Sequence, residues 1–263
     1  MTGRNERTPG PRDPHFRRGM YLLPSIMTVG NMFCGYACIL FAIRGELATA
    51  APFIGVAVVL DMLDGRIARM TNTTTAFGLE LDSLADIISF GVAPVVLAFT
   101  WVLSDLGRIG WATGFVYLTA AAMRLARFNI QSSAQPDKRF FVGMPSPPAA
   151  GVVASTIYLW PYPPGSLALS AAAVLVVFVP AALMVSTIRF RSFKTLNFGW
   201  TSSYMKLLLV AGVIAMVTLE QRVTLVVLSY GYLLSPFIEM GMIRLRAYRE
   251  GRSPQPPPTT SSA

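Results

Sequence analysis

Long apolar segments recur along this chain of 263 residues, and they constrain its fold more than any other feature. Apolar residues make up 53% of the chain and charged residues only 13%, whereas about a quarter of a soluble domain is charged. A helix needs roughly 20 apolar residues to cross a bilayer. We therefore predict an all-α polytopic membrane protein with about eight transmembrane helices, at residues 20–43, 48–70, 79–103, 109–128, 145–161, 166–188, 203–220 and 223–242.

The two ends of the chain lack this apolar pattern. Residues 1–15 are rich in Arg, Pro and Gly, a composition that favours a disordered tail. Residues 244–263 are first basic and then rich in Pro, Ser and Thr, which predicts a second tail. The transmembrane domain, which would carry any catalytic site, is predicted to comprise residues 16–243.

Basic residues predict the orientation of the chain in the membrane. Lys and Arg number 22 against 13 Asp and Glu, a net charge of +9. They concentrate at both ends and in the even-numbered loops between the predicted spans, which the positive-inside rule places in the cytoplasm. We expect a bacterial-type inner membrane protein with both termini in the cytoplasm. Its basic excess would face anionic membrane lipids and not nucleic acid.

Four aspartates lie inside or beside these apolar segments. Asp61 and Asp64 are three residues apart, and Asp82 and Asp86 are four apart, so each pair shares one helix face. The polar run 71–75 between them predicts a short connection, which would make the two helices antiparallel neighbours. Carboxylates at membrane depth cost a few kcal/mol unless paired, hydrated or metal-bound. Four converging carboxylates therefore predict a site for a divalent metal, and their hard oxygen ligands suit Mg²⁺, Mn²⁺ or Ca²⁺. Its position places this site at the cytoplasmic boundary.

Residues beside the aspartates suit an anionic substrate. Gly65 and Ala68 remove side-chain bulk next to Asp64, so that a large group can approach the helix. Arg69 follows one turn after Gly65 and carries a planar set of donors for phosphate oxygens. Together these residues predict a site for a metal-bound phosphate ester. His15 is the only histidine and lies in the N-terminal tail, which excludes histidine-based acid–base catalysis.

The aspartate stretch resembles the signature of the CDP-alcohol phosphatidyltransferases. This signature is D-x2-D-G-x2-A-R, eight residues, then G-x3-D-x3-D, and every defined position is matched between Asp61 and Asp86. The plain alternative is a buried charge cluster that stabilises a helix pair. Carboxylates without nearby cations stabilise a buried helix pair poorly, so the catalytic interpretation is favoured.

Flanking segments narrow the resemblance to the membrane-embedded phosphatidylserine synthases of that family. They are D-S-L-A-D-x-x-S-F-G-V-A-P from Asp82, R-L-A-R-F-N from Arg124 and G-x-P-S-P from Gly143. Met144 stands where leucine is more usual, which is a mild departure. The similarity covers roughly residues 20–190.

The resemblance implies an activity and a role for individual residues. A phosphatidyl group would pass from CDP-diacylglycerol to the hydroxyl of L-serine, with release of CMP, in an enzyme that is expected to be a homodimer. Asp86 would complete the metal site and act as general base. The implied roles are metal ligation by Asp61, Asp64, Asp82 and Asp86, and CDP-diacylglycerol binding by Thr28, Asn31, Gly65, Ala68, Arg69 and Gly78.

Two arginines are candidates for binding the acceptor or the lipid phosphate. Arg124 and Arg127 are three residues apart in an apolar segment, at the depth expected for the aspartates. Anionic groups at that depth need cations. The sequence leaves two alternatives open. One is the same chemistry with another acceptor, such as glycerol-3-phosphate or inositol phosphate. The other is a cation transporter, although no repeated counterpart of the aspartate stretch supports it.

Overall fold

A computed structural model describes residues 14–71, 75–134, 140–163, 165–191, 211–212, 215–216 and 218–249 of the chain. Its helices are α1 (Pro14–Ile43), α2 (Leu47–Thr71), α3 (Ala76–Asp86), α4 (Ala93–Trp101), α5 (Arg108–Ala134), α6 (Ser146–Leu159), α7 (Leu167–Val185) and α8 (Gln221–Arg249). A π-helical turn, Ile87–Val92, makes α3 and α4 one continuous rod, and a 3₁₀ turn, Leu103–Leu106, follows it.

Helices α1 and α2 form a tight antiparallel hairpin. Gly45 ends α1 with a φ of 79°, a left-handed conformation that glycine adopts without steric cost. The N–H groups of Gly45 and Glu46 donate to the carbonyls of Ala42 (2.9 Å) and Phe41 (3.0 Å), which caps the helix. Small residues are buried in this part of the core, so the two helices can approach closely; they are Cys34, Ala37, Cys38, Ala42, Ala50, Ala51 and Ala57.

The π-helical turn directly follows Asp86, and local sequence explains it. Pro94 has no N–H, so the carbonyl of Phe90 four residues earlier cannot receive the usual helical bond. The Tyr117 hydroxyl of α5 donates to that carbonyl instead, at 3.4 Å. The N–H of Ala93 reaches five residues back, to Ile88. Widened turns of this kind are frequent at functional sites.

A short ribbon is the exception to the helical architecture. Phe140–Val142 pairs antiparallel with Arg189–Arg191, and Phe141 stands opposite Phe190. The sequence-based prediction of a purely helical chain did not include it. Each strand has only three residues, which is too short for an alternating pattern to be recognised in the sequence.

Topology places aspartates and aromatic side chains at opposite ends of the helices. Trp101 ends α4, Trp111 lies in the first turn of α5, and Trp160 directly follows α6. The indole N–H of Trp101 donates to the carbonyl of Tyr162 at 3.1 Å. Tryptophan and tyrosine are enriched where a protein meets the membrane interface. This aromatic end therefore marks the interface remote from the aspartates.

Five helical segments among the described residues are long and apolar enough to cross a membrane. They are Ser25–Ile43, Leu47–Ile67, Ala76–Trp101, Ala168–Val185 and Gln221–Met242. The predicted spans 109–128 and 145–161 coincide with α5 and α6, and neither helix is among the segments that are both long enough and apolar enough to cross a membrane. The predicted span 203–220 lies mostly outside the described residues. The structure thus shows an integral-membrane type of helical protein, but it does not confirm eight spans.

Gly35 lets α1 pack directly on the π-helical turn. A Cβ at this position would lie 2.6 Å from Ser89 Oγ and 2.8 Å from Ser89 Cα. We expect Gly35→Ala to lower the free energy of unfolding by about 1–3 kcal/mol, because the backbone of one helix must move. Thermal unfolding of the protein in detergent measures this effect.

The matched control for Gly35 is Gly55 in α2, where a Cβ would meet nothing within 4 Å. Gly55→Ala is expected to be neutral or to stabilise by about 0.5–1 kcal/mol, since alanine is the better helix former. Equal melting temperatures for the two variants would contradict the close approach at Gly35.

Candidate active site

Three aspartates from α2 and α3 form one cluster. Asp61, Asp64 and Asp82 each offer a carboxylate oxygen, and these oxygens all lie within 4.8 Å of one another. Asp61 and Asp64 share one face of α2, while Asp82 lies in the second turn of α3. The start of α3 is set by Thr75, whose hydroxyl oxygen accepts a hydrogen bond from the N–H of Gly78 at 3.0 Å.

Helix α1 supplies one hydrogen-bond donor to each aspartate pair. The hydroxyl of Thr28 donates to Asp64 Oδ2 at 3.1 Å, and Asp64 is only 3% exposed. One turn later, Asn31 Nδ2 donates to Asp86 Oδ1 at 3.5 Å. Thr28 and Asn31, which are predicted to bind CDP-diacylglycerol, thus each donate a hydrogen bond to one of the four aspartates.

Asn31 is itself held in place by the π-helical turn. Ser89 Oγ donates to the backbone carbonyl of Asn31 at 2.9 Å, in a fully buried contact. Gly35 permits this approach one turn further along α1. The turn after Asp86 therefore fixes both the end of α3 and the residue that hydrogen-bonds to Asp86.

Arg124 brings a positive charge to Asp86. Asp86 lies outside the three-carboxylate group but interacts electrostatically with Asp61, Asp82 and Asp64, and with Arg124 of α5. The guanidinium of Arg124 donates to Ser146 Oγ at 3.2 Å. Among the described residues, Asp86 thus interacts with three carboxylates and one guanidinium, and these charges do not balance.

These residues fit a divalent metal ion. Asp82 Oδ1 and Asn31 Oδ1 are buried, and no described residue donates a hydrogen bond to either atom. A buried acceptor without a donor costs about 1–3 kcal/mol, and a nearby cation offsets that cost. Carboxylate and amide oxygens are hard ligands that suit Mg²⁺ or Mn²⁺.

The structure defines the surroundings of the other predicted binding residues less closely. Gly65 follows Asp64 on α2, and Gly78 lies in the first turn of α3; both are half-buried. A Cβ at Gly78 would lie 3.0 Å from Thr75 Oγ1, so this glycine also serves the helix start. The side chains of Ala68 and Arg69 lie outside the described residues. Arg127 is half-buried on α5, and it makes no hydrogen bond to the aspartates in the described part of the chain.

Sequence reasoning did not assign roles to four polar residues near the site. Asn129 Nδ2 of α5 donates to Ser83 Oγ at 3.0 Å, which joins α5 to α3 beside Asp82. Ser89 and Ser146 hold Asn31 and Arg124, as described above. All four residues lie within the three flanking segments noted in the sequence. Spacing along one helix could not show which helix each of them contacts.

The fold and the site together define a class of membrane enzyme. Residues 21–235 match the family model described as CDP-alcohol phosphatidyltransferase. This range covers most of the chain, so the chain belongs to the CDP-alcohol phosphatidyltransferase family.

Several relatives carry a more particular name. The CDP-diacylglycerol–serine O-phosphatidyltransferase of Helicobacter pylori is 38% identical over 183 residues, covering 68% of this chain and 76% of the relative. The protein of the same name from Bacillus subtilis is 36% identical over 66% of this chain and 93% of the relative. The archaetidylserine synthase of Methanothermobacter thermautotrophicus is 35% identical over 64% of this chain and 69% of its own length.

Proposed function

We propose that this protein transfers the phosphatidyl group of CDP-diacylglycerol to L-serine, which yields phosphatidylserine and CMP. The observation that carries the proposal is the convergence of Asp61, Asp64 and Asp82 within 4.8 Å, in a family of phosphatidyltransferases. The names of the relatives support L-serine as acceptor. The flanking segments around Asp86, Arg124 and Ser146 agree with that choice.

The aspartate cluster would hold the divalent metal. Asp61, Asp64 and Asp82 are the proposed ligands, and Asp86 completes the site from the next turn of α3. A bound Mg²⁺ or Mn²⁺ supplies charge neutralisation for the phosphate oxygens. Thr28 and Asn31 serve this site by orienting one carboxylate of each pair.

Asp86 is the proposed general base. Its carboxylate accepts the proton of the serine hydroxyl, whose oxygen then forms a bond to the β-phosphorus of CDP-diacylglycerol. The bond between that phosphorus and the bridging oxygen breaks, and CMP leaves with the electron pair. Asn31 holds Asp86 through the 3.5 Å contact, so the base keeps one orientation. A positioned base typically contributes about a hundredfold to ten-thousandfold in rate.

The remaining binding roles follow from charge and space. Arg124 lies beside Asp86, so it is proposed to bind the carboxylate of the serine that Asp86 deprotonates. Arg127 stays a candidate for the lipid phosphate. The diphosphate and nucleotide would lie against Gly65 and Gly78, with Ala68 and Arg69 contributing from the end of α2.

We place the active site at the cytoplasmic face of a bacterial-type inner membrane, with both termini in the cytoplasm. The distribution of basic residues supports this orientation. The aromatic end of the helices, around Trp101 and Trp160, would then lie at the opposite interface. A homodimer and the division into residues 1–15, 16–243 and 244–263 remain proposals from the sequence and the family resemblance.

CMP release by the purified protein in detergent tests the proposed function. With CDP-diacylglycerol and Mn²⁺ or Mg²⁺, we expect release that requires L-serine and stops when EDTA removes the metal. Parallel reactions contain glycerol-3-phosphate, inositol, inositol phosphate or no acceptor. Release with another acceptor alone would reject serine while keeping the aspartate chemistry. No release with any acceptor, from folded protein, would reject the transferase proposal.

A further inference from the structure

The segment 143–147, Gly-Met-Pro-Ser-Pro, is anchored to the end of α7 near the site. Gly143 has a φ of 83°, and a Cβ there would lie 2.5 Å from the carbonyl oxygen of Met184. Its N–H donates to the carbonyl of Ile188 at 2.9 Å, and the N–H of Met144 donates to that of Leu183 at 2.9 Å. Glycine is therefore required at the turn, and the segment has one well-defined path.

This path fixes the position of Ser146. Pro145 is the N-cap of α6 in an extended conformation, and Ser146 is the first helical residue. Pro147 follows in the first turn, where a missing N–H has no cost. Ser146 is 3% exposed, so its hydroxyl is held inside the protein.

The buried hydroxyl of Ser146 contacts a partly exposed arginine. Arg124 donates to Ser146 Oγ at 3.2 Å, and its guanidinium lies 5.3 Å from the ring centroid of Phe128. Arg124 also interacts electrostatically with Asp86 and Asp61. Ser146 is too buried to meet a ligand, whereas Arg124 retains exposed surface. An arginine offers five donors in a planar fork, so donors remain after the bond to Ser146.

We propose that Ser146 is a positioning residue that orients Arg124 towards the carboxylate of the acceptor. The anchored segment 143–147 thereby sets the preference for an acceptor alcohol that carries a carboxylate. This inference rests on the proposed function, because it assumes that an amino-acid acceptor meets Arg124 beside Asp86. Ser146 acts only through Arg124 and takes no part in the chemical step.

Steady-state kinetics of Ser146→Ala test the inference. Loss of one hydrogen bond to a charged group is expected to raise the KM for L-serine roughly tenfold. The kcat and the KM for CDP-diacylglycerol are expected to stay at their wild-type values. Ser146→Thr, which keeps the hydroxyl, should restore the KM for L-serine. Ser146→Cys, which keeps the volume and weakens the acceptor, should give an intermediate KM.

A carboxylate-free acceptor separates orientation of Arg124 from general damage. With 2-amino-1,3-propanediol, the wild type and Ser146→Ala should show the same kcat/KM. The ratio of kcat/KM for L-serine to kcat/KM for this acceptor should therefore be lower in the variant than in the wild type. Ser155→Ala is the matched control, since Ser155 is also buried in α6 but donates to the backbone carbonyl of Val152. It should leave both acceptors unaffected.

Three results would overturn the inference. One is an unchanged KM for L-serine in Ser146→Ala that still folds, as judged by its melting temperature. Another is an equal loss of kcat/KM for both acceptors. The third is an absence of serine-dependent CMP release in the wild-type protein, which would reject the proposed function together with the inference. The two proposals can be told apart, because serine-dependent CMP release by the wild type tests the proposed function, whereas the KM for L-serine of the Ser146 variants tests the inference.

Discussion

Asp86→Asn is expected to lower the kcat of serine-dependent CMP release by about a thousandfold, within the range lost when a general base is removed. Asparagine keeps the size of the side chain and can still accept a hydrogen bond from Asn31, but it cannot take the proton of the serine hydroxyl. Binding of CDP-diacylglycerol is expected to persist, because Asp61, Asp64 and Asp82 form their cluster without Asp86. Single-turnover CMP release and equilibrium binding of CDP-diacylglycerol measure the two effects separately.

Glu80→Gln is the matched control for Asp86→Asn. Glu80 lies on the same helix, two residues from Asp82, and is exposed. Its replacement also removes one negative charge from α3, so it reports the effect of net charge alone. We expect its kcat to equal that of the wild type. Activity of Asp86→Asn at the level of Glu80→Gln would reject Asp86 as the base.

Asp64→Asn is expected to weaken divalent-metal binding by at least about a hundredfold. Loss of a residue that only supports a metal ligand lowers metal affinity by about 10- to 100-fold, and loss of a ligand itself should cost at least the upper value. Asp64 is 3% exposed, belongs to the three-carboxylate cluster and accepts a hydrogen bond from Thr28. Because residue 64 is buried, water cannot take the place of the lost carboxylate in the variant. Mn²⁺ binding to the purified variant, measured by calorimetry without substrate, gives a readout independent of turnover.

Asp105→Asn is the control for Asp64→Asn. Asp105 is exposed in the 3₁₀ turn at the aromatic end of the helices, where it accepts a hydrogen bond from Ser104 at 3.4 Å. Its replacement should leave Mn²⁺ affinity unchanged. Equal Mn²⁺ affinity in Asp64→Asn and wild type would show that the metal binds elsewhere or that the cluster binds none.

The contacts of α1 explain why the effects of Asp64 and Asp86 should differ. Thr28 supports Asp64 in the cluster, whereas Asn31 supports Asp86, which lies outside it. One helix thus holds a proposed metal ligand and the proposed base in a fixed relation. Ser89, which lies in the π-helical turn, fixes the position of Asn31 by donating a hydrogen bond to its backbone carbonyl. Substitution of Asp64 should therefore have the larger effect on metal affinity, and substitution of Asp86 the larger effect on kcat.

Several features of the protein could be predicted from the sequence because they depend only on local spacing. Apolar length predicts helices that cross a membrane, and five such segments are present among the described residues. The intervals between Asp61 and Asp64, and between Asp82 and Asp86, place each pair on one helix face. The signature around them also predicts the family, which the match over residues 21–235 confirms.

Other features depend on contacts between helices that are distant in sequence, so only the tertiary structure could decide them. Thr28 and Asn31 are one turn apart in the sequence, but their aspartate partners are 36 and 55 residues away. The ribbon joins Phe141 to Phe190, and its strands are too short to leave a pattern. The link from Ser146 to Arg124 requires α5, α6 and α7 to meet at one end. Local spacing determines which side chains share a helix face, whereas packing between helices determines which partner that face meets.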